Sequence, residues 1–207
     1  MPLPRSQVSD GLLTDLDHFE ALIRPLAAAE WDSPSRCAGW TVGDVARHVV
    51  GSMADVAAGN TDGLGTPEVT EREVAERAGR SASELADECR AVRDAAAALL
   101  PLFDDAAWAG PAPGGYDGTL GEGVEALWYD AWLHADDIRA ALGRASEITP
   151  GFAGVVSHVA FELAKRGWNG AVPGVDDPRA IAFVLTATGR ASAGDYGADA
   201  PIDIYAV

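Results

Sequence analysis

Asp130 and His134 are the residue pair whose types and spacing most clearly allow chemistry, because they lie four residues apart in a segment with helical periodicity. Side chains at this spacing on one helix have Cβ atoms about 5–6 Å apart, so both can reach one divalent ion. A catalytic zinc site commonly takes three protein ligands and leaves a position for water or substrate. His48, seven residues after a helix-start signal at Thr41, is the best third candidate. The resulting hypothesis is a metal site formed by His48, Asp130 and His134.

Two aspartates follow the second histidine and are candidates for a supporting role. Asp137 lies three residues after His134, the spacing at which a carboxylate accepts the hydrogen bond that a metal-bound imidazole usually donates. The alternative is that Asp136 and Asp137 form an exposed charge pair balanced by Arg139.

Aromatic residues surround both histidine segments. Trp40 precedes His48, and Trp128 and Trp132 lie one helical turn apart around Asp130. These tryptophans are candidate pocket walls, although most such aromatics pack in a core. The sequence contains no nucleophile elbow, phosphate-binding loop or dinucleotide fingerprint.

The elements that must position these residues are mainly helices. Apolar periodicity and capping signals predict helices over residues 7–28, 41–58, 68–103 with an interruption near 79–81, 119–142 and 149–166. Between them, the Gly- and Pro-rich stretch 104–118 is expected to be a loop that borders a pocket. Residues 183–186 fit either a short strand or a helix turn. The predicted organisation is a helical core with the metal site over residues 1–147, followed by an additional helix and a short irregular or β-containing extension over 148–207.

Composition limits the classes of partner. The chain has 207 residues, 48% of them hydrophobic, with a formal net charge of −17. This charge argues against binding to nucleic acid or to an anionic membrane, because both need clustered Lys and Arg. No apolar run is long enough to span a bilayer, and the first residues lack the apolar core of a signal peptide. We therefore expect a cytoplasmic monomer or homodimer that binds small molecules, with Cys37 and Cys89 as reduced structural thiols.

Three segments resemble one known family. Residues 37–49, CAGWTVGDVARHV, are similar to the Cys-x-Gly-Trp-Thr-Val-x-Asp-Val-x-x-His segment of the mycothiol-dependent maleylpyruvate isomerase family, within the DinB/YfiT-like superfamily. Residues 132–143, WLHADDIRAALG, resemble that family's histidine helix. A weaker resemblance covers residues 187–191 together with 201–205.

The resemblance implies a DinB/YfiT-like up-down four-helix bundle that holds a divalent metal, usually zinc, and uses mycothiol as a cosubstrate. Its metal ligands, carried over to this sequence, are His48, Asp130 and His134. Asp130 departs from the usual glutamate, and its side chain reaches about 1.5 Å less far because it has one carbon–carbon bond fewer. Aspartate is nevertheless a good zinc ligand.

Three hypotheses follow for the function. The first is a metal-dependent enzyme in which a low-molecular-weight thiol adds to a small electrophile, giving S-transfer or thiol-assisted cis–trans isomerisation. The second is a non-catalytic small-molecule binding or sequestration protein with a weakened or vacant metal site. The third is a purely structural role for the polar triad.

Overall fold

The computed structural model describes residues 3–205, and helices dominate this part of the chain. Their bounds are α1 Arg5–Ile23, α2 Ala28–Trp31, α3 Val42–Ala58, α4 Pro67–Glu76, α5 Ala82–Leu99, α6 Asp105–Ala109, α7 Leu120–Ala141, α8 Phe152–Lys165, α9 Ala180–Ala187 and α10 Ala193–Tyr196. Residues 3–205 include no β-strand, only two isolated bridges. The mainly α fold predicted from the sequence is therefore confirmed.

Capping residues explain where the helices that carry the candidate site begin. The Thr41 hydroxyl accepts a hydrogen bond from the backbone N–H of Asp44, whose carboxylate accepts one from the Thr41 N–H. Thr119 and Glu122 form the same reciprocal pair at the start of α7. Each pair satisfies two backbone donors that the first helical turn leaves free. The sequence-predicted starts of both helices are confirmed.

Two prolines set helix ends that the sequence pattern placed too late. α1 ends at Ile23 rather than near residue 28, because Pro25 has no N–H to continue the helical ladder. α5 ends at Leu99 and gives way to a 3₁₀ turn that contains Pro101. The predicted break between α4 and α5 is confirmed, at residues 77–81.

Four long helices, α1, α3, α5 and α7, form a bundle around one apolar core. α1 packs against α5 and α7, and α3 packs against the same two helices. The core includes Leu16, Phe19, Val45, Val49, Leu85 and Ile138, each at most 1% exposed. Burying a side chain of this size contributes about 1.5–3 kcal/mol relative to leaving it exposed.

Contacts between the helices give their directions. Arg5, at the start of α1, donates to the Leu100 carbonyl beyond the end of α5, so these helices are antiparallel. α3 and α7 are also antiparallel, because Cys37, which precedes α3, contacts Asp137 late in α7.

α1 and α7 are parallel, because Glu30 and Arg144, which follow these two helices, form an ion pair. It follows that α3 and α5 are parallel neighbours. The segment that contains α4 therefore leads back along the bundle from the end of α3 to the start of α5. This up-down-down-up order refines the up-down order expected from the sequence.

A second apolar cluster joins the C-terminal helices to the outer face of α7. α8 packs on α7, and α9 packs on α8. The cluster includes Trp132, Leu133, Phe152, Val159, Phe183 and Val184, all at most 1% exposed. Residues 183–186 are helical, within α9, and not a strand. Of the helices described, none combines the length and apolar character needed to cross a membrane.

Candidate metal centre

The side chains of His48, Asp130 and His134 converge between α3 and α7. His48 Nε2 lies 3.7 Å from one Asp130 oxygen, and His134 Nε2 lies 3.4 Å from the other. One potential ligand atom from each residue lies within 4.8 Å of the other two. The two imidazole rings meet edge to face, with centroids 5.2 Å apart. The structure therefore brings together the three residues that the sequence analysis selected.

A buried carboxylate on α4 orients His48 from the side of the ring opposite Asp130. His48 Nδ1 lies 2.8 Å from Oε2 of Glu73, a residue only 1% exposed. A neutral imidazole that donates from Nδ1 to a carboxylate keeps its lone pair on Nε2, the nitrogen that faces Asp130. Within the described residues, the other Glu73 oxygen has no hydrogen-bond partner. A carboxylate that accepts from Nδ1 makes Nε2 a better ligand for a cation on the far side of the imidazole.

His134 is oriented in the same way by Asp137. Its Nδ1 lies 2.8 Å from Asp137 Oδ2. Arg190, which follows α9, donates to both oxygens of Asp137 at 2.8 and 2.7 Å, and Arg36 also pairs with this carboxylate. Burial opposes ionisation of Asp137, but the hydrogen bonds from His134 and Arg190 prevail and lower its pKa. The hydrogen bond expected between Asp137 and His134 is thus present.

The electrostatics of the triad suit a site for a divalent cation. Burial opposes the charge on Asp130, but the interactions with His134 and His48 lower its pKa to about 2. Burial also opposes a charge on His134, yet Asp130 and Asp137 raise the pKa of this imidazole well above its usual value. A metal ion would therefore displace a proton from His134 on binding. Two imidazole nitrogens and one carboxylate oxygen are a ligand set that zinc accepts.

Cys37 lies beside this network instead of in a separate structural position. Its Sγ is 3.2 Å from Asp137 Oδ2 and 3.9 Å from His134 Nδ1, so Cys37, His134 and Asp137 form a second group with ligand-like spacing. Asp137, however, already accepts hydrogen bonds from Arg36 and Arg190. The group that contains His48 is the better cation site, because no arginine within residues 3–205 pairs with its carboxylate.

A cavity of about 430 Å³ opens beside the triad. His48 and Asp130 line one side, and Tyr205 from the C-terminal extension also contributes. Residues 112–115 form part of the wall, as predicted for the Gly- and Pro-rich stretch, although residues 105–109 of that stretch form α6 and not a loop. Gly114 has φ +71°, and a Cβ at this position would lie 2.0 Å from the Thr61 carbonyl oxygen. The loop therefore approaches Thr61 closely only because this residue is glycine.

The three candidate tryptophans have different environments. The Trp40 ring centroid lies 5.3 Å from that of His48, next to the triad. Trp128 and Trp132 are at most 1% exposed and belong to the two apolar cores, and neither lines this cavity. Trp128 Nε1 donates to Asp15, and Trp132 Nε1 donates to the Glu147 carbonyl. Both indoles are therefore satisfied core residues.

The alternative reading of the two aspartates as an exposed pair is wrong. Asp136 and Asp137 are 1% and 0% exposed. Arg36 pairs with Asp136 at 2.6 Å, while Arg139 pairs with Glu147 instead. Charges this deeply buried need partners, and the arginines supply them.

Sequence reasoning missed three residues of this site: Arg36, Glu73 and Arg190. Glu73 lies on a helix that is separate from both histidine segments, so no spacing rule connects it to His48. Arg190 is more than fifty positions away from Asp137 in sequence. The one available signal was the family-like segment around residues 187–191, which contains this arginine.

Comparison with known proteins agrees with the fold. The structure is similar to a mycothiol-dependent maleylpyruvate isomerase, with a TM-score of 0.65 and 16% identity over 96% of each chain. It is also similar to a mutant of a mycothiol-dependent maleylpyruvate isomerase in which a histidine is replaced by alanine, with a TM-score of 0.57 and 16% identity over 78% of this chain and 70% of that one. A search of curated proteins gives no match.

The strongest finding comes from family models. The model described as the mycothiol maleylpyruvate isomerase N-terminal domain matches residues 13–139, a span that contains His48, Asp130 and His134. This match covers more than half of the sequence. The chain therefore belongs to the mycothiol maleylpyruvate isomerase N-terminal domain family.

Proposed function

We propose that this protein is a metal-dependent enzyme that uses a low-molecular-weight thiol, mycothiol, to attack a small electrophile. The outcome is either S-transfer or thiol-assisted cis–trans isomerisation. Membership of the family supports the use of mycothiol. The convergence of His48, Asp130 and His134 supports dependence on a divalent metal, which we propose to be zinc.

The donor atoms of the three proposed ligands face one another. Glu73 and Asp137 fix the two imidazole rings through Nδ1, so that each ring presents Nε2 to the centre. Asp130 supplies a negative charge that stays ionised at physiological pH, because its pKa is about 2. A zinc ion held there would stabilise the thiolate form of the cosubstrate, which is the nucleophile.

The observation that carries the proposal is that two of the three proposed ligands also line the cavity. His48 and Asp130 lie in its wall, so an electrophile bound in the cavity lies next to the site where the thiol sulfur would be held. In the reaction, the thiol proton goes to solvent and the thiolate adds to an unsaturated carbon, whose π electron pair moves onto the electron-withdrawing group of the substrate until it returns and expels either a leaving group or the thiolate. If a leaving group then departs with its electron pair, the result is S-transfer. If the carbon–sulfur bond breaks again after rotation, the result is isomerisation.

The test is thiol-dependent turnover by protein treated with chelator and then reloaded with zinc. We expect consumption of mycothiol or isomerisation of a cis-configured electrophile only in the zinc-loaded protein. His48→Ala should abolish turnover, whereas His18→Ala, a histidine on α1 outside the cavity, should not. Equal behaviour of the chelated and loaded protein would contradict the proposal. Tight binding of an electrophile without turnover would favour the sequestration hypothesis instead.

A further inference from the structure

The cavity beside the triad has an uneven distribution of charge. Among the described residues that line it, none is Lys or Arg. Asp130 is the one carboxylate among those same residues. A carboxylate moved into such a space loses its hydration and gains no cationic partner from the wall, which is costly.

The arginines that flank the site are already paired. Arg190 donates to both oxygens of Asp137, and Arg36 pairs with Asp136 and Asp137. Arg72, two residues after Thr70 of the cavity wall, pairs with Asp55 at 2.5 Å. Turning one of these arginines toward an anionic ligand would take a charged partner away from a buried carboxylate, which is costly.

The surroundings add further negative charge. Glu73 lies buried next to His48, and no arginine of the described part of the chain pairs with its carboxylate. The chain as a whole carries a formal net charge of −17. At the triad, Asp130 and a bound thiolate would together balance the two positive charges of the proposed zinc ion, so the ion would offer no net positive charge to an anionic electrophile. Both the wall and the long-range field therefore disfavour an anionic electrophile.

The remaining surface of the cavity suits an uncharged molecule. Its apolar wall comprises Val56, Leu64, Leu120, Val124 and Leu127, together with small residues of the loop. The polar groups are mainly hydroxyls, including those of Ser52, Thr70 and Tyr205. A cavity of about 430 Å³ is large enough for a single substituted ring or a short chain.

We propose that this cavity selects an uncharged, largely apolar electrophile and rejects dicarboxylate electrophiles, an inference that rests on the proposed function. The absence of a cationic side chain from the described wall determines this selectivity. Adding one cation to the wall should then be sufficient to change it. Thr70, a half-buried polar residue of α4, is the most tolerant place for that change.

The first test measures binding without turnover. The probes are 1,3-dinitrobenzene, which is uncharged, and 3,5-dinitrobenzoate, which differs from it by one carboxylate; neither carries a leaving group. The part of the tryptophan quenching that Trp40→Phe removes reports occupancy, because the Trp40 and His48 ring centroids lie 5.3 Å apart. The protein is used as purified, with 2-mercaptoethanol present. We expect the uncharged probe to bind tighter by about tenfold or more, a difference of about 1.4 kcal/mol. Equal affinity, or tighter binding of the benzoate, would overturn the inference.

A charge variant and a matched control keep this test specific. Thr70→Arg should shift the affinity ratio toward the benzoate by about tenfold, because it places a guanidinium in the cavity wall. Ser83→Arg adds the same charge at an exposed position of α5 outside the cavity and should leave the ratio unchanged. An equal shift in both variants would mean that overall charge, and not the wall, sets the preference.

Turnover separates this inference from the proposed function. With mycothiol and zinc-loaded protein, 1-chloro-2,4-dinitrobenzene should react faster than 4-chloro-3,5-dinitrobenzoate. In this step the thiolate sulfur bonds to the ring carbon, chloride leaves with the bonding pair, and the thiol proton goes to solvent. No turnover of either chloride would contradict the proposed function. Turnover that favours the benzoate would contradict the selectivity.

Discussion

At the scale of single residues, the carboxylates behind the two imidazoles determine how the candidate metal centre is organised. Glu73 holds Nδ1 of His48 and Asp137 holds Nδ1 of His134, each at 2.8 Å. Such partners fix the ring orientation and the tautomer, and their loss typically costs about 10–100-fold in metal affinity.

The first prediction concerns Glu73. Glu73→Gln should weaken zinc binding by about 10-fold or more, because the neutral amide no longer polarises the imidazole of His48. The measurement is competition for zinc against a chromophoric chelator. Glu71→Gln, a change of the same kind at an exposed position of the same helix, is the control and should bind zinc as tightly as the wild type. Wild-type affinity in Glu73→Gln would contradict the assigned role.

The same residues show how far sequence reasoning extends. Asp130 and His134 could be paired in advance because helical geometry fixes their separation. His48 could be added because a capping signal placed it on a second helix. Glu73 could not, because its partnership with His48 depends on how α4 packs against α3, and no local periodicity encodes that contact.

At the scale of elements, the loop between α6 and α7 closes one side of the cavity through a backbone contact. Gly114 brings it against the Thr61 carbonyl, where a Cβ would lie 2.0 Å from the oxygen. Gly115, the next residue, also has a positive φ of +81°, but a Cβ there would meet nothing within 4 Å. The two glycines thus share one conformational requirement and differ in steric constraint.

The second prediction uses this difference. Both Gly114→Ala and Gly115→Ala should lose about 1–2 kcal/mol of folding free energy, because L-residues are strained at positive φ. Only Gly114→Ala should also displace the loop and weaken binding of 1,3-dinitrobenzene. Thermal unfolding and Trp40 quenching measure the two effects. Equal loss of binding in both variants would show that the contact with Thr61 does not shape the cavity.

The third prediction concerns the α7–α8 interface. His158 stacks on Tyr129 with ring centroids 4.4 Å apart, and burial lowers its pKa from 6.5 to about 4. Below about pH 6.5 the unfolded chain therefore takes up a proton that the folded chain does not, so stability falls as the pH drops toward 4. From about pH 7.5 to about pH 5, the wild type should lose about 2 kcal/mol more than His158→Phe. Urea unfolding at both pH values measures this, and equal losses would contradict it.

At the scale of the whole molecule, the C-terminal extension is connected to the candidate centre by one arginine. Arg190, from the turn after α9, donates to both oxygens of Asp137, which in turn orients His134. The extension also supplies Tyr205 to the cavity wall, where its hydroxyl lies 2.7 Å from that of Tyr129. The bundle therefore supplies the proposed ligands, and the extension supports one of them.

The fourth prediction tests this connection. Arg190→Gln should lower the free energy of unfolding by about 1–3 kcal/mol, because Asp137 loses a buried charged partner while Arg36 remains. The same change should weaken zinc binding. Arg179→Gln removes an exposed arginine that pairs with Asp177 and lies 6.0 Å from the Tyr196 ring centroid, away from the triad, and should change neither quantity by much. Unaltered zinc affinity in Arg190→Gln would restrict this arginine to a structural role.

Much of the architecture was predictable because the four long helices carry clear periodicity and capping signals. The helix α9 was not, because a short apolar run such as residues 183–186 fits a buried strand and a buried helix equally well. The parallel arrangement of α3 and α5 was also hidden, since it depends on the path of α4. The division of the chain at residues 147 and 148 stays a prediction.

The most direct test of the central claim is the zinc content of purified protein, measured by elemental mass spectrometry after dialysis against zinc. We predict near-stoichiometric zinc in the wild type and in His18→Ala and Cys37→Ser. We predict its loss in both His48→Ala and His134→Ala, with circular dichroism confirming that each variant is folded. His48 belongs to the proposed site and not to the group formed by Cys37, His134 and Asp137. Loss of zinc in His48→Ala therefore shows that zinc binds at the proposed site. Wild-type protein that takes up no zinc, or His48→Ala that retains it, would contradict the account.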